Sequence, residues 1–192
     1  MTALAPAVFL DRDGTLIEEA GYLDSLHRLV FFPATVDALR LLARAGYRLV
    51  VITNQSGIAL GLFDEPFVYE THAALDARLT TAGARIDGWY FCPHHPAGHV
   101  PALTMTCDCR KPAPSLAHRA AADLGIDLSR SWMVGDRWGD VQLAGAAGMA
   151  GGVLVRTGYG RSAEARPVPG VTPAFVAEDL IDAASWILRQ AR

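Results

Sequence analysis

Short apolar runs recur along the chain at 7–10, 48–52, 88–91, 131–134 and 152–155, rich in Val, Ile and Phe, and the first four end at an Asp, Thr, Cys or Gly. Apolar character without alternation predicts strands buried on both faces, as in a parallel sheet covered by helices. Between the runs the pattern changes to a helical period. In 35–45, Val36, Leu39, Leu42 and Ala43 fall on one stripe, and Gly46 supplies a stop. Segments 65–82, 115–124 and 140–147 are also predicted helices, and 179–190 is predicted as an amphipathic one. This alternation gives an α/β fold, a doubly wound parallel sheet with right-handed crossovers. Ligands of such sheets bind outside the carboxyl ends of the strands. Two connections, 16–32 and 92–114, are long for a compact domain, which marks them as functional.

The 192 residues suit a single domain, 1–192, with 92–109 as an inserted loop. A hydrophobic fraction of 51% with 19% charged residues supplies a sizeable core and excludes disorder as the main state. The 17 Lys+Arg against 20 Asp+Glu leave a formal charge of −3, without the electrostatic footprint of a polyanion binder, so no nucleic-acid partner is expected. No run approaches the roughly 18 apolar residues of a membrane span. The start, MTALAPAVFLDRDG, lacks a basic n-region and meets Asp11, Arg12 and Asp13 too early for a signal sequence. The expectation is a cytoplasmic monomer with no membrane partner. Three cysteines, Cys92, Cys107 and Cys109, share one short window, and an odd count without an export signal predicts reduced thiols available for metal ligation or reactivity.

The candidate chemistry lies at the strand ends. VFLDRDGTL delivers Asp11 and Asp13 onto a turn marked by Gly14. Such a carboxylate pair can hold Mg²⁺, and one of the two can attack phosphorus to form an aspartyl-phosphate; the same residues also serve as ordinary turn formers and caps. RLVVITNQSG brings Thr53, Asn54, Gln55 and Ser56 to a second strand end, with hydroxyl, amide and main-chain N–H groups suited to phosphate oxygens. WMVGDRWGD presents Asp136, with Asp140 one helical turn further on, either catalytic or stabilising the start of the following helix. In CPHHPAGHVPALTMTCDC, three thiols and an imidazole offer a Cys₃His set for a closed, structural Zn²⁺ site: Cys92, His94, Cys107 and Cys109. His95 and His99 are alternative imidazoles, and His94 alone repeats the one-residue spacing of Cys107 and Cys109.

Taken in order, DRDGT, TNQSG, Lys111 in CRKP and GDRWGD resemble the four motifs of the haloacid dehalogenase-like (HAD-like, Rossmannoid) phosphohydrolases. The resemblance implies Asp11 as nucleophile and Asp13 as the acid, then base, of the two half-reactions. It implies that Thr53 and Lys111 neutralise charge on the transferred phosphoryl group. It also implies a Mg²⁺ site formed by Asp11, Asp136 and the main-chain carbonyl of Asp13. The zinc loop running into CRKPAPSL, with GYL at 21–23, TNQSGIALG, CPHHPAG, MVGDRWGD and VLVRTG, narrows the resemblance to the D-glycero-D-manno-heptose-1,7-bisphosphate 7-phosphatase family, with the histidinol-phosphate phosphatases as close relatives. Departures are small: Ser115 stands where Gly is common after KPxP, and Arg137 where Lys is common.

No length remains for a separate cap domain, so the two long loops are the available walls of the site. Glu19, Ala20, Gly21, Tyr22, Arg110 and Arg137, together with Asn54, Gln55 and Ser56, are the candidate substrate contacts, and the expected partner is a small sugar phosphate. The implied function is hydrolysis of the C7 phosphate of heptose 1,7-bisphosphate in heptose-nucleotide precursor synthesis for lipopolysaccharide core or surface glycan. The alternatives are histidinol phosphate as substrate, or a non-hydrolysing phospho-accepting receiver, which would leave Asp13 and the zinc loop without a purpose.

Overall fold

The apolar runs become the strands of one parallel sheet in the computed structural model, which describes residues 4–190. Among the described residues the strands are β1 (Ala7–Leu10), β2 (Arg48–Asn54), β3 (Gly88–Cys92), β4 (Trp132–Gly135), β5 (Gly151–Val155) and β6 (Phe175–Ala177), in spatial order β3-β2-β1-β4-β5-β6. β1 is central, paired with β2 on one side and β4 on the other. The chain therefore winds outward from β1 in one direction, then returns to β4 and winds outward in the other. This reversal leaves a crevice at the carboxyl ends of β1 and β4.

Alternation within each strand feeds two cores. Val8, Leu10, Leu49 and Val51 point to one face, where α1 (Thr35–Arg44), α2 (Glu65–Thr81) and α6 (Leu180–Gln190) contribute Leu39, Leu42, Leu75, Leu79, Ala183 and Ile187. Ala7, Phe9, Val50 and Ile52 point to the other, against Leu116, Ala117 and Ala120 of α3 (Ser115–Leu124) and Leu143 and Ala144 of α4 (Trp138–Ala146). All four residues of β1 are fully buried, which is why the run reads as unbroken apolar sequence.

The expected α/β architecture is observed, with local differences. β2 continues to Asn54 and β3 to Cys92, pairing Thr53 with Phe91 and Asn54 with Cys92, so these polar residues belong to the strands themselves. β4 starts one residue late because the Ser131 hydroxyl is used laterally, accepting from Ala7 N at 2.9 Å and donating to Asp127 O at 2.6 Å. α4 starts at Trp138, two residues before Asp140, because the Asp140 carboxylate folds back to accept the Arg137 N–H at 3.0 Å. β6 and the short α5 (Gly160–Glu164) have no counterpart among the sequence expectations; β6 is three residues long and finds its strand partner in β5. No helix among the described residues is long and apolar enough to cross a membrane.

Leu39 is fully buried where α1 meets the sheet. Leu39→Ala is expected to lower the free energy of unfolding by about 2–5 kcal/mol, seen as a lower urea midpoint.

Candidate active site

Asp11 leaves β1 still bonded to the sheet, its N–H donating to Val134 O at 2.9 Å, which sets its side chain over the crevice. The next residues turn sharply: Leu16 and Ile17 N–H both return to Arg12 O, and Gly14 N–H donates to Ile17 O at 2.8 Å. Gly14 has φ +83°, and a Cβ there would lie 2.2 Å from Asp136 Oδ2, so both its backbone conformation and its surroundings demand glycine. Thr157 Oγ1 donates to Gly14 O at 2.6 Å, tying the segment after β5 to the same turn.

Lys111 enters this cluster from the end of the cysteine loop. Its Nζ donates to Asp11 Oδ1 at 2.7 Å, Asp140 Oδ1 at 2.7 Å and Ile52 O at 2.9 Å, one acceptor for each ammonium hydrogen. Asn54 fixes the Lys111 backbone, accepting its N–H at 3.0 Å and donating to its carbonyl at 3.2 Å. With Asp136 the cluster holds three buried carboxylates against one ammonium. Burial raises Asp11 to about 6 against the opposing pull of Lys111, with Asp140 and Asp13 adding to the rise. Burial, with Asp11 and Asp140 nearby, raises Asp136 to about 8. Burial alone would lower Lys111, but Asp11 and Asp140 outweigh it and raise the group.

A divalent cation suits this excess of negative charge. Asp136 Oδ2 accepts Tyr159 N–H at 2.7 Å, while Asp136 Oδ1 is buried without a hydrogen-bond partner. Both bonds to the Asp11 carboxylate, from Arg12 N–H at 2.8 Å and from Lys111, fall on Oδ1. Asp11 and Asp136 thus present oxygens of the kind that Mg²⁺ prefers. Asp140 has both oxygens engaged, with Lys111 and with Arg137 N–H, which makes it a holder of Lys111 and a helix cap. The Asp13 carboxylate stands outside the cluster, turned to Arg12 and Gln55.

The crevice opens into a cavity of about 370 Å³. It is lined by Asp11, Asp13, Thr53, Lys111 and Asp140 at the base and by Glu19, Gly21, Tyr22, Arg110 and Arg137 on the walls. Asn54, Gln55 and Ser56 also reach it, but their polar groups are largely spent within the protein. Asn54 holds Lys111, Ser56 Oγ accepts Arg110 Nη1 at 2.7 Å, and the Gln55 amide bonds Asp13, Thr53 and Arg12. Ala20 lies outside the lining, where its carbonyl accepts from Arg28 at 2.8 Å. Glu19 faces Arg137 at 3.6 Å, and Arg137 lies 4.0 Å over the Tyr159 ring. Tyr159, Phe63 and Leu23 also line this wall without being among the expected contacts; Tyr159 directly follows the VLVRTG segment, the nearest sequence signal to it.

The cysteine loop closes on itself beside the site. Cys92, Cys107 and Cys109 are free thiols with Sγ–Sγ separations of 3.0, 3.4 and 3.5 Å, and His94 Nδ1 lies 3.2 Å from Cys109 Sγ and 3.7 Å from Cys92 Sγ. A tetrahedron with bonds of about 2.3 Å to sulfur has edges of about 3.8 Å, close to this spacing. Burial and the neighbouring Cys109 push the Cys92 thiol up, an opposition to ionisation that a bound cation relieves. The four residues could hold Zn²⁺; His95 instead lines the cavity. The loop also orients Arg110, whose Nη1 donates to His94 O at 3.2 Å.

The HAD-hydrolase-like family model matches residues 108–183. Across 164 residues, 85% of this chain and 87% of the relative, the chain is 45% identical to D-glycero-beta-D-manno-heptose-1,7-bisphosphate 7-phosphatase of Yersinia pestis. It is 41% identical over the full length of both chains to the protein of the same name from Salmonella typhi. Among solved structures it is similar to D,D-heptose 1,7-bisphosphate phosphatase from B. bronchiseptica, crystallised with magnesium and phosphate, with a TM-score of 0.84 and 33% identity over 96% of this chain and 99% of that one.

Purified without chelator, the protein is expected to carry tetrahedral zinc near one ion per chain, and Cys109→Ser to reduce the zinc retained after dialysis by at least about tenfold, measured by elemental analysis. Unchanged zinc in the variant would remove the assignment of this cluster.

Proposed function

We propose a reaction from one premise: this chain belongs to the D-glycero-D-manno-heptose-1,7-bisphosphate 7-phosphatase family of HAD-like hydrolases and is a phosphoric monoester hydrolase. The substrate is D-glycero-D-manno-heptose 1,7-bisphosphate, and the bond broken is the ester at C7. The product then feeds heptose-nucleotide synthesis. The observation that carries this reading is the pairing of Asp11 Oδ1 with Lys111 and Arg12 N–H at the base of an open cavity whose walls carry Arg110 and Arg137.

Asp11 attacks phosphorus through one carboxylate oxygen, and the C7 oxygen departs with the proton of Asp13. An aspartyl-phosphate on Asp11 results. Asp13, now a carboxylate, takes a proton from water, which attacks phosphorus and releases inorganic phosphate. In this reading Lys111 and Thr53 neutralise charge on the transferred oxygens. Asp11, Asp136 and the Asp13 carbonyl would hold Mg²⁺, which when bound would screen the repulsion between the anionic nucleophile and the anionic phosphate.

Access favours C7, a primary ester on an extended arm, over C1 on the ring. Arg110 and Arg137 remain for the distal part of the substrate, where binding energy can be used to position the reacting group.

The test is steady-state phosphate release from heptose 1,7-bisphosphate and from histidinol phosphate at equal concentrations, with phosphorus NMR to identify which ester disappears. Many turnovers on the heptose ester and loss of the C7 signal are expected. A preference for histidinol phosphate would replace the substrate assignment, loss of the C1 signal would remove the regiochemistry, and a single equivalent of phosphate per chain would point to a receiver.

Asp11→Asn should lower kcat at least about 10³-fold with the fold intact. Arg110→Ala should lower kcat/KM for heptose 1,7-bisphosphate far more than for p-nitrophenyl phosphate, which lacks a distal phosphate. Equal losses would place Arg110 in the common phosphoryl site or in the loop's folding.

A further inference from the structure

Arg12 separates the two aspartates of DRDG, yet its side chain is among the most deeply buried in the chain, at 2% exposure. A guanidinium removed from water must be paired and hydrogen-bonded, and four of its five N–H groups have partners here. Nε donates to Asp13 Oδ2 at 3.0 Å and Nη2 to Asp13 Oδ1 at 3.1 Å, a two-pronged grip on one carboxylate. Nη2 also donates to Gln55 Oε1 at 2.9 Å, and Nη1 faces His72 Nε2 at 3.5 Å.

The partners of Arg12 are themselves fixed. Gln55 Nε2 donates to Asp13 Oδ2 at 2.9 Å, closing a ring of Arg12, Asp13 and Gln55, and to Thr53 Oγ1 at 2.8 Å, which anchors that ring to β2. His72 projects from α2, is buried, and stacks on Trp89 of β3 with ring centroids 4.6 Å apart and planes 23° from parallel. Burial first, and the Arg12 charge second, lower His72 to about 3, so the ring is a neutral acceptor for Nη1. Asp13 keeps 22% of its side chain exposed toward the cavity while both its oxygens are gripped from behind.

We infer that Arg12, braced by His72 and Gln55, is a positioning residue that aims the Asp13 carboxyl group at the oxygen of the departing alcohol. This rests on the proposed role of Asp13 as general acid. The grip matters because proton transfer requires hydrogen-bond reach in a defined direction, and a carboxyl group free to rotate spends little time there. The Gln55 amide is engaged at both its oxygen and its nitrogen, and His72 is buried outside the cavity lining; their part is to hold the guanidinium plane.

The leaving group separates aiming from mere folding. p-Nitrophenolate departs readily without a proton, whereas phenolate needs more help, so a misaimed acid penalises phenyl phosphate more. The experiment measures kcat/KM for both esters with Arg12→Lys, which keeps the charge and loses the fork, and with His72→Phe, which keeps the stack on Trp89 and removes the acceptor. Arg12→Lys is expected to lose about 10²-fold on phenyl phosphate and at least about tenfold less on p-nitrophenyl phosphate, with a smaller loss of the same kind in His72→Phe. Thermal melts establish folding, and if Arg12→Lys does not fold, His72→Phe carries the test.

Equal losses on both esters would overturn the inference. Asp13→Asn serves as the reference. If it discriminates between the esters while the other two variants do not, the positioning role alone fails; if it does not discriminate, the acid role of Asp13 fails and the inference with it.

Discussion

Lys111 holds the strand ends together electrostatically. Its ammonium is buried, and its three hydrogens go to Asp11, Asp140 and Ile52 O, so one side chain ties the nucleophile candidate after β1, the first turn of α4 and the last turn-ward stretch of β2. Without it, Asp11, Asp136 and Asp140 would share a desolvated pocket with like charges unopposed. Even with it, the pocket holds more negative than positive charge, and Asp136 Oδ1 is left without a partner. That imbalance is what makes a divalent cation a fitting third element, and a cation there would restore the anionic form that a nucleophilic Asp11 requires.

Placing a lysine at that depth requires a rigid approach. The cysteine loop supplies it: Cys92 ends β3, Cys107 and Cys109 return to it, and Arg110 and Lys111 follow at once. Asn54 then clasps the Lys111 backbone from the end of β2. A zinc ion in this loop would act through the placement of Arg110 and Lys111, far from any chemical step of its own. The same economy of placement governs the other side of the cavity, where Gly14, with no side chain, lets the first turn lie against Asp136.

Much of this was legible because it is local. The unbroken apolar runs announce strands buried on both faces, and the polar residues at the ends of β1, β2 and β4 mark the crevice. Asp11, Thr53 and Asp136 follow from that rule together with the motif spacing, Lys111 is implied by the resemblance to the HAD-like motifs, and the cysteine window needed only counting. What escaped depends on partners distant in sequence. Nothing in FVA announces β6, whose three residues are strand only because β5 lies beside them. Asp140 reads as cap or catalyst until Lys111, 29 residues earlier, is seen on one of its oxygens. Gln55 reads as a substrate contact, and only the fold shows Arg12, Asp13 and Thr53 around its amide. Arg12 carries no role in the sequence, because burial of an arginine is a tertiary fact.

The central claim is that Asp11 takes the phosphoryl group before water does. The stereochemical course at phosphorus tests it most directly, using a sugar phosphate ester made chiral with oxygen isotopes and transfer of the phosphoryl group to an acceptor alcohol. Two in-line displacements, one by Asp11 and one by the acceptor, predict net retention of configuration. Net inversion would mean a single displacement, with no covalent intermediate on Asp11, and would contradict the account.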